Sequence, residues 1–153
     1  GDKIITGQVG SASFIMIYED TSIRVYNNSV FRLVSERYSL LNHSELALFE
    51  GKVIIEADDN LNYSFVVNTP STKATVSGTN FFAEYQQDFL FNGVDYSIFT
   101  VLEGIIELEN LNSNLSMYLS NGETVVSTDS GKFLRLDTFR EPQGIVNSLL
   151  EFR

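Results

Sequence analysis

Residues 74–82 read "ATVSGTNFF", with "VNTP" at 67–70 just before them and "TVLEGIIELE" at 100–109 further on. β-Branched and aromatic residues surround a Gly78-Thr79 step, and no helical spacing of apolar residues runs through it. A strand is therefore expected, interrupted at Gly78, where a residue without a Cβ lets the backbone bend or pack closely. Alternation then turns Phe81 inward as an anchor and Phe82 to the other face, while the Thr79 hydroxyl is placed to bond a local backbone group.

The same texture continues on both sides. "SFIMIY" (13–18), "SIRVY" (22–26), "SVFRLV" (29–34), "ELALFEGKVIIEA" (45–57) and "YSFVVN" (63–68) all read as strands punctuated by Asn, Asp, Gly and Ser. In "FLFNGVDYSIFTV" (89–101), Asn92-Gly93 is a dipeptide suited to a type I′ turn, so a β-hairpin is expected there. Asn121-Gly122 marks another tight turn. Only "EPQGIVNSLLEF" (141–152) differs, since Pro142 suits a first helical turn and Ile145, Val146, Leu149 and Leu150 share a helical face. The expected organisation is an all-β domain over residues 1–136 and a tail or short helix over 137–153.

An internal echo joins two of these strands. "LFEGKVIIEADDNLNYSFVV" (48–67) and "VLEGIIELENLNSNLSMYLS" (101–120) align with Glu50-Gly51 on Glu103-Gly104. In each, Glu-Gly sits between apolar runs, as a bulge or bend would require. Two comparable coils or sheets explain it, and the expected architecture is a twisted, solenoid-like stack or a two-layer sandwich of many short antiparallel strands.

Composition narrows the function. A chain of 153 residues with 43% hydrophobic residues can bury a core as one domain. Its 20 acidic and 10 basic residues give a formal charge of −10, with the basic residues scattered, which disfavours nucleic acid and anionic membrane as partners. Cysteine is absent, removing disulfides, thiolate catalysis and Cys-ligated zinc. No apolar run reaches membrane-spanning length. The chain opens on Gly1 without a signal peptide and is expected to be an excised or processed piece, one that a longer protein could anchor to a membrane.

Catalytic constellations are equally sparse. His43, the single histidine, lies in "LLNHSEL", read as a polar turn between apolar runs, and is expected to be a surface or capping residue. Asp58-Asp59-Asn60 lacks the Gly and distal Glu of a calcium loop and reads as a solvated turn. Glu107 and Glu109 share a strand face without the features of a glycosidase pair. No cofactor, metal or catalytic residue is assigned, and folding is expected to need no metal. Asn-x-Ser sequons at Asn27, Asn42, Asn62 and Asn114 would matter only in a eukaryotic secretory route.

Taken together, Thr69-Pro70, then Ala74, Val76, Gly78, Thr79 and Phe81, then "VLEGIIEL" (101–108) and "LSNGE" (119–123), resemble the FecR domain family. "ALFEGKVIIEA", "GDKIITG" and "YEDTSIRVYNNSVFRL" are similar to the family's upstream segments, although Asp20-Thr21-Ser22 lacks the usual Gly and Ser77 stands where many members carry Arg. The resemblance implies an all-β periplasmic domain of a bacterial envelope regulator, of the anti-sigma kind, that senses or transmits a signal through a protein partner. No sigma-binding segment or C-terminal signalling domain is legible. The expected function is thus a non-catalytic interaction or sensing module, with strand pairing as the mode of contact. A carbohydrate- or small-ligand-binding domain is the alternative, with Tyr18, Tyr26, Tyr38, Tyr63, Tyr85, Tyr96 and Tyr118 as stacking faces.

Overall fold

A computed structural model describes residues 3–5, 13–16, 21–26, 28–38, 41–57, 63–87 and 93–136. Eleven strands make one sheet: β1 (Lys3–Ile5), β2 (Ser13–Met16), β3 (Thr21–Val25), β4 (Val30–Tyr38), β5 (Leu41–Ala57), β6 (Tyr63–Asn68), β7 (Thr72–Gln86), β8 (Tyr96–Asn110), β9 (Ser116–Ser120), β10 (Thr124–Thr128) and β11 (Phe133–Leu136). The described residues hold no helix, in keeping with the all-β expectation. The helix anticipated near Pro142, the Asp58-Asp59-Asn60 turn and Asn92 lie outside the described residues.

Main-chain pairing follows the order β1-β4-β5-β6-β7-β8-β10-β11, with β2 and β3 reached through β5, and β9 through β8. Every pairing is antiparallel except β5 with β6. β5, β6 and β7 close a ring of pairings among themselves, because β7 meets β6 through Ala74 and β5 through Phe81.

Three strands are long, at 17 residues for β5 and 15 each for β7 and β8, yet each behaves as two short strands. The change occurs at a glycine with positive φ: Gly51 at +98°, Gly78 at +59° and Gly104 at +106°. Along β5 the buried residues are Ser44, Leu46 and Leu48, then Gly51, Val53, Ile55 and Ala57. Along β7 they are Thr72, Ala74 and Val76, then Thr79, Phe81, Ala83 and Tyr85. Beyond its own bend, β8 buries Ile106 and Leu108, where Phe99 and Val101 pointed inward before it. An extra residue at the bend shifts the two-residue period by one, so that apolar side chains stay on the core side although the strand has turned.

The echo between Glu50-Gly51 and Glu103-Gly104 is a repeat in three dimensions, and it has a second half. Val30 lies opposite Glu50 and Phe31 opposite Leu48; Asn80 lies opposite Glu103 and Phe81 opposite Val101. Phe49 and Leu102 are the extra residues. Asn28 (φ +57°) thus corresponds to Gly78, Ser29 to Thr79, and the fully buried Phe31 to Phe81. In both halves a hydroxyl bridges to the residue after the Glu-Gly glycine. The Lys52 N–H donates to Ser29 Oγ at 3.1 Å, and Thr79 Oγ1 donates to the Ile105 carbonyl at 2.8 Å. The Thr79 partner is therefore a neighbouring strand, where a local backbone group was expected. A strand bend leaves ladder groups unpaired, and a short hydroxyl side chain reaches them.

The two Glu-Gly bends accept nothing larger than glycine. A Cβ on Gly51 would lie 2.5 Å from Ser29 Cα, and one on Gly104 would lie 2.7 Å from the Gly78 carbonyl oxygen. We expect Gly104→Ala to cost about 1–3 kcal/mol from the positive φ alone, with steric overlap adding to it. Phe81→Ala should cost on the order of 3–5 kcal/mol through cavity formation. Urea denaturation measures both; an unchanged midpoint for Phe81→Ala would contradict its place in the core.

Candidate functional site

The residues singled out from sequence divide between the interior and the bends. Thr69, Ala74, Val76, Thr79 and Phe81 are buried, as is Gly51. Pro70, Glu50, Glu103 and Gly93 are exposed, Gly78 and Gly104 half-buried, and Gly93 takes φ +93° in the turn before β8. β7 and β8 pair from Gln86 opposite Tyr96 onward, so the Asn92-Gly93 segment joins antiparallel partners. His43 sits within β5 opposite Glu36, in a strand where a turn was expected, because the chain reverses before Leu41.

Thr69 and its neighbours organise a buried polar cluster that the sequence did not announce. Thr69 Oγ1 and Ser71 Oγ each lie 2.6 Å from Ser97 Oγ, and Thr72 Oγ1 donates to Ser127 Oγ at 2.6 Å. Asn110 Nδ2 donates to Ser127 Oγ and to the Thr128 carbonyl, both at 2.9 Å, while its Oδ1 accepts the N–H groups of Asn112 and Ser113. These side chains are fully buried, and each hydroxyl is satisfied by another. The partners are hydroxyls, an amide and carbonyls, so nothing in the cluster removes a proton from a serine. It ties the 69–72 turn to β8 and β10.

Two titratable groupings lie nearer the surface. Tyr85 Oη donates to Asp129 Oδ2 at 2.9 Å, and the Asp129 N–H donates to the Asp95 carbonyl at 2.9 Å. Burial pushes the Asp129 carboxyl above its ordinary value, the nearby Asp95 adds to this, and the Tyr85 hydrogen bond opposes it. Burial and the same aspartates hold Tyr85 protonated well above the usual phenol range. Elsewhere a recess of about 270 Å³ beside the Gly51 bend is lined by Tyr26, Asn28, Glu50, Lys52, Glu84 and Gln86. Lys52 Nζ stands 4.3 Å from the centre of the Tyr26 ring, and burial raises the Glu84 carboxyl despite the Gln86 amide donating to it at 2.8 Å. Among the described residues no group of three or more acidic, His or Cys side chains is placed to hold a metal ion.

The outer face of β8 and β9 is of a different kind. Ile105 and Leu115 are each 56% exposed and Tyr118 66%, with Leu102 and Leu111 also open to solvent. Of the tyrosines proposed as stacking faces, Tyr85 and Tyr96 are buried and Tyr26 lies under Lys52, whereas Tyr118 presents its ring. Register places Tyr118 opposite Glu107 and Ser120 opposite Ile105. Tyr118 follows from the alternation of "LSMYLS", where Met117 and Leu119 turn inward. Sequence alone could not tell which of the two faces would be covered.

The Asp129 arrangement yields a pH test. A carboxyl whose folded value is raised binds its proton more readily in the native state, so its ionisation costs stability as pH rises past the ordinary value near 3.8. Asp129→Asn, which keeps an acceptor for Tyr85, should therefore melt at a higher temperature than the parent at pH 7. The difference should shrink as pH falls toward that value and vanish below it. Melting curves from pH 3 to pH 7 measure this, and a variant less stable at pH 7 would refute it.

No relative among the curated proteins matches the chain. Two crystal structures of a candidate anti-sigma factor from Parabacteroides distasonis ATCC 8503, at 1.65 Å and 2.50 Å resolution, share its fold, each with a TM-score of 0.72 and 18% sequence identity. The match covers 97% of this chain and 64% of theirs, so the chain spans about two-thirds of the length of these neighbours. The family model described as FecR protein matches residues 2–107. The Glu-Gly bend of β5, the Thr69-to-Phe81 motif and the start of the second bend all fall within that match, and the chain belongs to the FecR protein family.

Proposed function

We propose that this chain is a non-catalytic sensing and protein-interaction domain of the bacterial envelope, exposed to the periplasm and acting within an anti-sigma type of regulator. The observation that carries this reading is the exposed apolar face of β8 and β9, borne by a FecR-family domain whose other apolar residues are largely buried. Isolated exposed apolar residues are ordinary, but Ile105 and Tyr118 lie on adjacent paired strands, and contiguous apolar surface marks contact sites. Among the described residues no helix is long and apolar enough to cross a membrane.

The polar groupings support a structural role over chemistry. The Thr69 cluster spends its hydroxyls on one another, and the Tyr85–Asp129 pair holds a phenol and a carboxyl whose values are both raised, away from a poised base. The exposed Tyr118 ring favours one second reading, a carbohydrate- or small-ligand-binding surface. A glycan array separates the two.

With a net charge of −10, the domain should associate fastest with a basic or neutral partner surface, and more slowly as salt rises. Cross-linking in intact bacteria should capture an envelope protein. With the purified pair, raising salt from 50 to 500 mM should lower the association rate more than it raises dissociation. Capture of none, or turnover of an envelope substrate by the purified domain, would overturn the reading.

A further inference from the structure

We propose that the free edge of β9 is a strand-addition site for an extended segment of a partner protein in which apolar residues alternate with Lys or Arg. This rests on the reading above that the chain works by binding protein, and it specifies where and with what chemistry.

The backbone geometry identifies the edge. Among the described residues β9 pairs with β8 alone. The Tyr118 carbonyl accepts a hydrogen bond from Arg135 Nη2 at 3.1 Å and therefore points away from β8. In an antiparallel ladder alternate residues direct both main-chain groups to the same side, so the N–H of Tyr118 and the groups of Ser116 and Ser120 face outward as well. Ser120 is already satisfied, its N–H donating to Glu123 Oε1 at 2.7 Å and its carbonyl accepting the Glu123 N–H at 3.0 Å. The Tyr118 N–H and both main-chain groups of Ser116 are left to an incoming strand. Arg135, ion-paired with Glu123, stands over the far end of this edge, the placement by which a charged side chain blunts indiscriminate pairing.

Side chains define the occupant. A strand added beside β9 would lay alternate residues next to Tyr118, on the face that also carries Ile105, where apolar groups would cover exposed apolar surface. The same face carries Glu107, opposite Tyr118, with Glu109 next along β8 and Glu103 at the bend. Lys73, opposite Glu109, is the basic residue on β7 here. Together with the chain's net charge of −10, these carboxylates complement Lys and Arg. A second copy of this chain would bring its own carboxylates against them, which disfavours self-pairing.

The test titrates the complete chain against three fluorescein-labelled octapeptides: alternating Lys and Val, alternating Glu and Val, and the Lys/Val composition interrupted by proline. Ser116→Pro and Tyr118→Pro each delete an outward N–H and leave the β8 ladder intact. Tyr118→Lys alters the charge of the face without touching the backbone. We expect the Lys/Val peptide to bind most tightly, each proline variant to lose about three- to tenfold in affinity, and Tyr118→Lys to weaken Lys/Val while improving Glu/Val. Melting curves confirm that the variants fold; should the prolines unfold the chain, Tyr118→Lys decides alone. Equal Lys/Val binding by parent and all variants would place the contact elsewhere and sink the edge assignment while leaving protein binding standing. Binding of Glu/Val as tight as Lys/Val would sink the charge assignment, and a dimer lost on Tyr118→Pro would show that the edge serves a second copy. If none of the peptides binds, the assignment also fails. Intact-cell cross-linking then tells the two failures apart, since capture unaltered by these variants preserves the broader reading and no capture removes it.

Discussion

The fold depends on a change of register where its long strands β5, β7 and β8 bend. A strand that turns must keep its apolar side chains facing the core, and a two-residue period cannot do so across a corner without a change of register. Phe49 and Leu102 supply the change, and the glycines beside them supply a backbone that no Cβ would allow. With the register shifted, Leu48 and Val53 reach the same core from opposite sides of one corner, as do Val101 and Ile106 from the other.

The corners also explain why the chain can use so few strands in so many pairings. Across its bend, β5 exchanges β4 for β3 on one edge and β6 for β7 on the other. β8 does likewise, pairing β10 before Gly104 and β9 after it. The Asn121-Gly122 corner between those two partners is pinned to the bend itself, since Asn121 Oδ1 accepts the Gly104 N–H at 2.6 Å and Gly122 donates to the Val101 carbonyl. β9 thereby becomes a short strand held along one side only, and its exposed edge is a consequence of how β8 turns. Interior hydroxyls do the complementary work, closing the Thr69 turn against β8 and β10 where the ladder gives no bond.

Function follows from the same division. The motif that carries family membership is spent on corners and core, with Phe81 and Thr79 buried, and so holds the surface in place without forming it. The surface that can meet a partner is built from residues outside the motif, Tyr118 and Leu115 among them. Members of one family can thus keep the scaffold and differ in what they contact, because changing an exposed side chain costs little stability while changing a corner glycine costs much.

The sequence by itself determined most of the strands, though not β10 or β11, and the Glu50-Gly51 and Glu103-Gly104 bends, because period-two patterning and glycine at a corner are local properties. "YSFVVN" became β6 with its limits unchanged. It did not disclose that "NSVF" at 28–31 matches "GTNF" at 78–81, since Asn28 and Gly78 look unlike and share only a positive φ. Nor did it disclose the cluster of Thr69, Ser97, Ser127 and Asn110, which are polar residues far apart in the chain that read as surface until the sheet closes over them. The parallel contact of β5 with β6, and the choice of β9 as an open edge, were likewise decided only in three dimensions. Which strands become neighbours depends on long-range closure of the sheet, a quantity that no window of residues contains.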